Sequence, residues 1–416
     1  MQFKGSPTPT LGMEIEWQLL DPNTLDLVDG ILPLIECYPH PQIKPEYNQA
    51  TVEVNSKVCA NIQELEADIF SVVAALQARC EELGTILAGV GTHPFSTRLV
   101  AITPVERHLA QYEIAGYLSY WMTCAQHVHV GIPSGDEAVA ILTMLKPYLP
   151  VLLALSANSP FWWGYDTGYA SFRQRLLASR ETYGVPPSFK NWQDFADFFD
   201  SAKYAGIFKI IRDIHWDIRP QPQLGTVEVR VMDAQPTLKE ALMLAAFIHS
   251  LIVYLQRYRR GEEQGFLLTP HHWWLEKENY FRSSRLGLAA TYIEDERGRS
   301  RPIKAVIADI LDSLTETAAR LGETKYLQLV RERLSGSPAY LRQSLVFHHT
   351  GSLKAVVASL VRELKEELLG AAAPAKRDRS VAKLSKQPDR TKIPTEEAIA
   401  LPRSQDRSAL VSTIFC

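Results

Sequence analysis

The chain has 416 residues, of which 46% are hydrophobic and 22% charged, and its formal net charge is −3. This length can bury a large core in one large domain or in two, and the composition is ordinary for a soluble globular protein. The near-neutral charge excludes the basic field that nucleic-acid-binding proteins usually carry.

Signals for export or membrane insertion are missing from the sequence. The first ten residues, MQFKGSPTPT, lack the apolar core of a signal peptide. The two most apolar runs, 139–157 and 241–254, are too interrupted or too short to span a bilayer, so we predict that both are buried helices. The five cysteines form no CxxC pair, which is typical of free thiols in a reducing compartment. These features predict a cytoplasmic protein that is not bound to a membrane.

Hydrophobic periodicity predicts strands and helices that are intermixed along the chain. In chain order, we expect a strand at 11–20, a strand at 49–55, a helix from the cap Asn61 to Leu83, a strand at 85–91, a helix at 104–122 and a strand at 125–132. Beyond these, we expect helices at 136–158, a strand at 225–233, a helix capped by Thr237 that ends near 260, and two or three helices within 271–370. Residues 160–190, rich in Gly, Pro, Arg and aromatics, are expected to form a pocket built from loops.

The fold class and the domain boundary follow from this order and from composition. Because there is no regular βαβ alternation, the pattern favours an α+β fold over a doubly wound one. From residue 371 onward, small and polar residues dominate and basic residues outnumber acidic ones. Such a stretch cannot bury much apolar surface. We therefore predict one domain over 1–370 and a disordered tail over 371–416.

Four strand-like segments each carry two polar residues that are separated by one apolar residue. The pairs are Glu14 and Glu16, Thr51 and Glu53, His127 and His129, and Glu228 and Arg230. In a β-strand, residues i and i+2 lie on the same face. If the four strands belong to one sheet, its polar face is lined by carboxylates and imidazoles. Oxygen ligands suit Mg²⁺, and a guanidinium group neutralises phosphoryl charge.

The carboxylates also have a plain structural interpretation. Glu14 and Glu16 fit a solvent-facing strand about as well as they fit a cation site. The cation site is considered because two like charges at this spacing repel each other, and burying both requires a cation. Glu53 alone fits an exposed strand position. Glu46 lies seven residues before Glu53, an odd offset, so it needs a bulge or a bend to join the same face.

The remaining pairs leave alternatives open as well. His127 and His129 have the spacing of zinc ligands, and they fit a Mg²⁺ or Mn²⁺ and phosphate site equally well. Glu228 and Arg230 also fit a simple ion pair within a sheet. Arg219 precedes a proline, which holds its backbone extended, so it is a candidate for the same site.

Further arginines lie in aromatic-rich segments. Arg173 and Arg175 are candidates for binding the carboxylate of an amino-acid substrate, although they fit surface positions on a helix equally well. Arg285 lies three residues after Arg282 on a predicted helix and is a candidate phosphate contact. The sequence has no GxxxxGK[ST] or GxGxxG motif, so any ATP must be held by metal ions and arginines.

Seven segments resemble the carboxylate–amine ligases of the glutamate–cysteine ligase type 2 family, within the glutamine-synthetase-like superfamily. They are GMEIEW (12–17), the strand 49–55, GTHPF (91–95), HVHVGIP (127–133), the stretch 155–175, WDIRPQPQLGTVEVRVMDAQPT (216–237) and RSSRLGL (282–288). They occur in the family's order over 11–370. HVHVG together with WDIRP and TVEVRV is the most specific part.

The resemblance implies a glutamine-synthetase-like catalytic domain in which a mainly antiparallel sheet lines a funnel and helices pack outside. It also implies ATP, Mg²⁺ or Mn²⁺, and a homodimer. From the resemblance and the spacing together, the predicted metal ligands are Glu14, Glu16, Glu46, Glu53, His127 and Glu228. The predicted catalytic residues are Arg219 and Arg230. The predicted ATP contacts are His129, Arg230 and Arg285, and the predicted substrate contacts are Arg173 and Arg175.

The expected reaction is the ATP-dependent joining of the γ-carboxylate of L-glutamate to the amine of L-cysteine, or of another small amine, through an acyl phosphate. Two other functions stay open at this point. One is a divalent-metal hydrolase that uses His127, His129 and the carboxylates to activate water. The other is a non-catalytic metabolite-binding member of the same fold.

Overall fold

The computed structural model of the protein describes residues 1–372 except residue 181. Its strands are β1 (Leu11–Leu20), β2 (Ile43–Pro45), β3 (Thr51–Asn55), β4 (Ile86–Ala88), β5 (Ala125–Gly131), β6 (Phe161–Trp162), β7 (Tyr165–Asp166), β8 (Tyr183–Gly184), β9 (His215–Trp216), β10 (Ile218–Gln221), β11 (Thr226–Asp233), β12 (Thr291–Ile293) and β13 (Ser300–Pro302). Its α-helices are α1 (Ile31–Cys37), α2 (Ile62–Glu82), α3 (Glu106–Ala115), α4 (Gly135–Leu145), α5 (Leu149–Ser156), α6 (Arg173–Leu177), α7 (Trp192–Tyr204), α8 (Leu238–Arg259), α9 (Trp273–Leu286), α10 (Ile303–Leu321), α11 (Thr324–Ser335), α12 (Ala339–Thr350) and α13 (Leu353–Ala372). The predicted tail lies outside the described residues, apart from the last two residues of α13.

A seven-stranded sheet forms the centre of the fold. Its strand order is β10-β11-β5-β1-β3-β2, and β4 pairs with the C-terminal end of β1. Every pairing in this sheet is antiparallel. The four strands predicted to carry polar pairs, β1, β3, β5 and β11, are consecutive in it. The α+β class with a mainly antiparallel sheet is therefore confirmed.

The back of the sheet is a continuous apolar surface. The residues between the polar pairs, Ile15, Val52, Val128 and Val229, are fully buried. They share one hydrophobic core with side chains of α2, α4, α5 and α8. Burial of each such aliphatic side chain contributes roughly 1.5–3 kcal/mol, so this face holds the helices firmly against the sheet.

The two apolar stretches noted in the sequence are interior helices. Gly135–Ser156 and Leu238–Arg259 are each long and apolar enough to cross a membrane, but 83% of the most apolar window of each is buried inside the protein. Helix α8 packs against β5 and against α2, α10 and α11. The prediction that these runs are buried helices is confirmed.

The N-termini of α2 and α8 are capped as the sequence predicts. The side chains of Asn61 and Thr237 accept hydrogen bonds from the backbone N–H groups of Glu64 and Glu240. We expect Asn61→Ala to lower the free energy of unfolding by about 1 kcal/mol, because one N–H at the start of α2 loses its acceptor. Asn61→Asp keeps an acceptor and should stay close to the wild type. Urea denaturation measures both variants, and an equal loss in the two would contradict the capping explanation.

Residues 271–370 contain more helices than the sequence analysis predicts. Five helices, α9 to α13, occupy a region where two or three were expected, so that prediction was wrong. Gly322 and Gly351 follow α10 and α12 with left-handed φ values of 73° and 64°. Glycine adopts this conformation without strain, so it ends each of these two helices and starts the chain into the next one.

Candidate active site

Three cross-strand pairs form a polar row across β11, β5, β1 and β3. The pairs are Glu228 opposite His129, His127 opposite Glu14, and Glu16 opposite Glu53. Residues directly opposite each other in an antiparallel sheet have Cβ atoms roughly 5 Å apart. Six of the predicted site residues therefore lie side by side on one sheet face, opposite the apolar core.

At one end of the row is an acidic cluster of three carboxylates. Ligand atoms of Glu16, Glu46 and Glu53 all lie within 4.8 Å of one another. Glu16 accepts a hydrogen bond from the backbone N–H of Ala125 at 2.7 Å, and Glu53 accepts one from the side chain of Asn55 at 2.9 Å. Glu46 follows β2 and is not part of β3. The turn between these two strands supplies the bend that the sequence requires for Glu46 to join the site.

The acidic cluster is energetically unfavourable without a cation. Burial, together with the neighbouring Glu46, raises the pKa of Glu16 to about 8 and the pKa of Glu53 well above its ordinary value. No Lys, Arg or His nitrogen of the described residues comes within 4.0 Å of these three carboxylates. Like charges held this close in a low-dielectric setting attract protons or a cation.

At the other end is a mixed cluster of Glu14, His129 and Glu228, whose ligand atoms also lie within 4.8 Å of one another. Glu14 Oε2 lies 3.1 Å from His127 Nδ1, and Glu14 Oε1 lies 3.3 Å from His129 Nε2. Burial alone raises the pKa of Glu14, but its hydrogen bonds with His127 and His129 hold that pKa well below the ordinary value. Burial and the nearby Arg230 lower the pKa of His127 to about 4, so at neutral pH this imidazole is neutral.

Glu228 is enclosed by donors. Its side chain is fully buried, and it accepts hydrogen bonds from Arg219 Nη2 at 2.8 Å, from Gln221 Nε2 at 2.6 Å and from Arg230. Burial would raise its pKa, yet Arg219 and then Arg230 hold it well below the ordinary value. Two guanidinium groups share this one carboxylate, with Glu14 close enough to attract both, and they gather N–H donors in one corner. Such a corner is suited to a phosphoryl group.

The structure places Arg219 and Arg230 at the mixed cluster and leaves three other predicted arginines outside both clusters. Arg173 is buried, donates to the backbone carbonyl of Val231 at 3.3 Å and lies 3.7 Å from Asp233 Oδ1. Arg175 stacks over the ring of Phe281 at 5.6 Å. Arg285 is exposed. The predicted roles of these three in binding substrate or ATP stay predictions.

Three polar residues of the same sheet face were not singled out from the sequence. Gln221 donates to Glu228, and Thr226 Oγ1 lies 3.1 Å from His129 Nδ1. Asp217 is buried just before β10. The sequence did contain a signal for them, which is the two-residue spacing of a strand face. Asp217 lies two residues before Arg219, Gln221 lies two residues after it, and Thr226 lies two residues before Glu228.

Asp233 was missed for a different reason. It ends β11, after an irregularity in the pairing with β5 between Val229 and Met232, so simple alternation does not place it. It is fully buried and accepts hydrogen bonds from the hydroxyls of Ser159 and Ser171 at 2.7 and 2.9 Å. It thereby ties the loop-rich region after α5 to the end of the central sheet.

The donor sets of the two clusters fit divalent cations. The acidic cluster offers only oxygen ligands, which Mg²⁺ prefers. In the mixed cluster, Glu14 and His129 offer a carboxylate oxygen and an imidazole nitrogen, which Mn²⁺ also accepts, while both oxygens of Glu228 already accept hydrogen bonds from arginines. A cation at the acidic cluster would remove the repulsion among carboxylates that the protein leaves without a cationic side chain. The residues therefore fit the metal ions that the resemblance implies.

Comparison with known proteins agrees with this geometry. Residues 10–359 match the model of Glutamate-cysteine ligase family 2. A relative from Trichormus variabilis, provisionally named glutamate–cysteine ligase 2, is 58% identical over 370 residues, which cover 88% of this chain and 96% of that protein. A relative of the same provisional name from Thermobifida fusca is 35% identical over 374 residues, which cover 88% of this chain and 93% of that protein.

Two solved structures share the fold at low sequence identity. The glutamate–cysteine ligase of Francisella tularensis in complex with AMP has a TM-score of 0.64 at 13% identity, covering 90% of this chain and 91% of that one. The bifunctional glutathione synthetase from Pasteurella multocida has a TM-score of 0.65 at 13% identity, covering 87% of this chain and 53% of that one. Since the family model covers most of the sequence and the relatives align along nearly their whole length, the chain belongs to Glutamate-cysteine ligase family 2, a family of ligase enzymes.

Proposed function

We propose that the protein is an ATP-dependent carboxylate–amine ligase that joins the γ-carboxylate of L-glutamate to the amine of L-cysteine, or of another small amine. The observation that carries this proposal is the juxtaposition of two clusters of metal-ligand atoms with a corner that holds two guanidinium groups, all on one sheet face. Membership of a ligase family supports the reaction class. The AMP in the Francisella structure supports the use of an adenine nucleotide.

Mg²⁺ or Mn²⁺ would be held at two places. The acidic cluster is one, and the mixed cluster with the neighbouring His127 is the other. When bound, such cations would supply positive charge that lowers the barrier to phosphoryl transfer. This role explains why the chain keeps mutually repelling carboxylates on a covered surface, where hydrophobic residues would be more stable.

The protein groups act on the charges that develop in the reaction. A γ-carboxylate oxygen of glutamate forms a bond to the γ-phosphorus of ATP, and the bond to the departing ADP breaks. Arg230, which lies 3.4 Å from His127 Nδ1 and shares Glu228 with Arg219, neutralises charge on the transferring phosphoryl group. The amine nitrogen then attacks the acyl carbon and inorganic phosphate leaves, which gives the amide.

A coupled assay of ADP release tests the proposal. With ATP, Mg²⁺ and L-glutamate, we expect turnover to require an added amine, L-cysteine being the first choice, and to stop when EDTA removes the metal. A metal-dependent hydrolase or a non-catalytic metabolite binder would release no ADP under any of these conditions. Absence of ADP across a panel of amines and amino-acid carboxylates would overturn the proposal.

The assembly and location of the protein are proposed from the sequence alone. We propose a cytoplasmic homodimer whose partners are small-molecule substrates and not nucleic acid. Size-exclusion chromatography with light scattering measures the mass in solution, and a mass corresponding to one chain would contradict the dimer.

A further inference from the structure

Asp217 is a buried carboxylate that neither ligand cluster uses. Its side chain is 5% exposed, and its Oδ2 atom is buried without a hydrogen-bond partner. Its backbone is fixed on both sides, since its N–H donates to the carbonyl of Gly184 at 2.9 Å and its carbonyl accepts from the N–H of Arg230 at 2.7 Å. The chain therefore holds an unsatisfied carboxylate in a defined position, at a cost in stability.

The groups around Asp217 do not satisfy it. The Tyr280 hydroxyl lies beside the carboxyl, but it donates its proton to Gln174 Oε1 at 2.6 Å. Arg173 and Arg230 attract the carboxylate without forming an ion pair within 4.0 Å. Burial outweighs these three neighbours and raises the pKa of Asp217 to about 6. What the carboxylate lacks is a hydrogen-bond donor of its own.

Asp217 also lies close to the proposed reaction centre. The same two guanidinium groups, Arg173 and Arg230, lower the pKa of both Asp217 and Glu16. Asp217 and Glu16 are therefore both within electrostatic reach of the same two arginines. The backbone hydrogen bond from Arg230 to Asp217 continues the register of β10 and β11, so the two residues are cross-strand neighbours next to the pair Arg219 and Glu228.

We propose that Asp217 binds the amino group of the acceptor substrate and accepts its proton, an inference that rests on the proposed ligase function. An aliphatic amine enters in its ammonium form, and its N–H donates to Asp217 Oδ2. Transfer of one proton to this oxygen frees the nitrogen lone pair. The nitrogen then forms the C–N bond with the acyl carbon while the C–O bond to phosphate breaks, and the departing phosphate takes the second proton.

The test compares two kinds of nucleophile on Asp217→Asn. L-cysteine and methylamine are protonated at neutral pH and need a proton acceptor before attack, whereas hydroxylamine is already unprotonated. We expect the variant to lose about 100-fold in turnover with the two protonated amines, the lower range for general-base catalysis. With hydroxylamine, we expect turnover near that of the wild type. The readout is ADP release together with formation of the amide or the hydroxamate.

The matched control is Asp200→Asn, an exposed carboxylate on α7, which should behave as the wild type with every nucleophile. The melting temperature of Asp217→Asn should be no lower than that of the wild type, because the change removes a buried charge without a partner. Equal losses with hydroxylamine and the amines, or no loss with either, would overturn the role of Asp217. Failure of the wild type to release ADP with any nucleophile would instead overturn the proposed function.

Discussion

Replacement of Arg230 by alanine is expected to lower the ATP turnover number by about 1,000-fold, the lower range for an arginine that stabilises a transferring phosphoryl group. Arg230 and Arg219 share the buried carboxylate of Glu228, and Arg230 is the partner that also contacts His127. Its loss removes one of the two guanidinium groups at this corner. Glu228 keeps Arg219 and Gln221 as donors, so the variant should fold. Steady-state ADP release measures the effect.

Two further variants sharpen this experiment. Arg230→Lys keeps the charge but loses the planar fork, so its turnover should lie between that of the wild type and that of the alanine variant. Arg297→Ala, an exposed arginine in the turn between β12 and β13, should not change turnover. A turnover number for Arg230→Ala within tenfold of the wild type would show that this guanidinium group does not meet the phosphoryl group.

Glu53→Gln is expected to have opposite effects on catalysis and on stability without metal. Turnover should fall by about 100-fold or more, because the acidic cluster loses one anionic ligand. The melting temperature in EDTA should rise. Burial and the nearby Glu46 raise the pKa of Glu53 in the folded protein. A carboxyl whose pKa rises on folding lowers stability at every pH above its pKa in the unfolded chain, and glutamine removes that penalty.

The same experiment measures metal binding directly. Mg²⁺ should raise the melting temperature of the wild type, since a ligand that binds only the folded state stabilises it, and should raise that of Glu53→Gln less. Glu36→Gln, an exposed glutamate on α1, is the matched control and should respond to Mg²⁺ as the wild type does. If Mg²⁺ stabilises Glu53→Gln as much as the wild type, the acidic cluster does not bind the metal.

Strict alternation made the main row of the site predictable. On β1, β5 and β11, each site residue is separated from the next by one fully buried aliphatic residue, such as Ile15 or Val128. The sequence therefore shows that the site residues of each strand lie on the sheet face opposite the hydrophobic core. The alternation of polar and apolar residues does not show which strands are neighbours in the sheet. The resemblance to a ligase family supplied the expectation that segments more than a hundred residues apart meet in one sheet.

The parts that escaped prediction lie where alternation is interrupted. Glu46 reaches the acidic cluster from the turn after β2, and Asp233 follows an irregularity in β11. Their positions depend on tertiary geometry that no periodic pattern encodes. The surroundings of Arg173 were also hidden, because its partner Asp233 is sixty residues away in sequence.

The two-sided construction of the central sheet also limits how the length of this protein can change during evolution. One extra residue just before Glu14 would exchange the faces of β1, so that both glutamates would enter the hydrophobic core and Ile15 would turn toward the ligands. Such an insertion would remove fold and chemistry together, while the connecting loops carry no such constraint. Homologous lineages should therefore differ in loop length and keep the strands that bear ligands free of single-residue insertions and deletions.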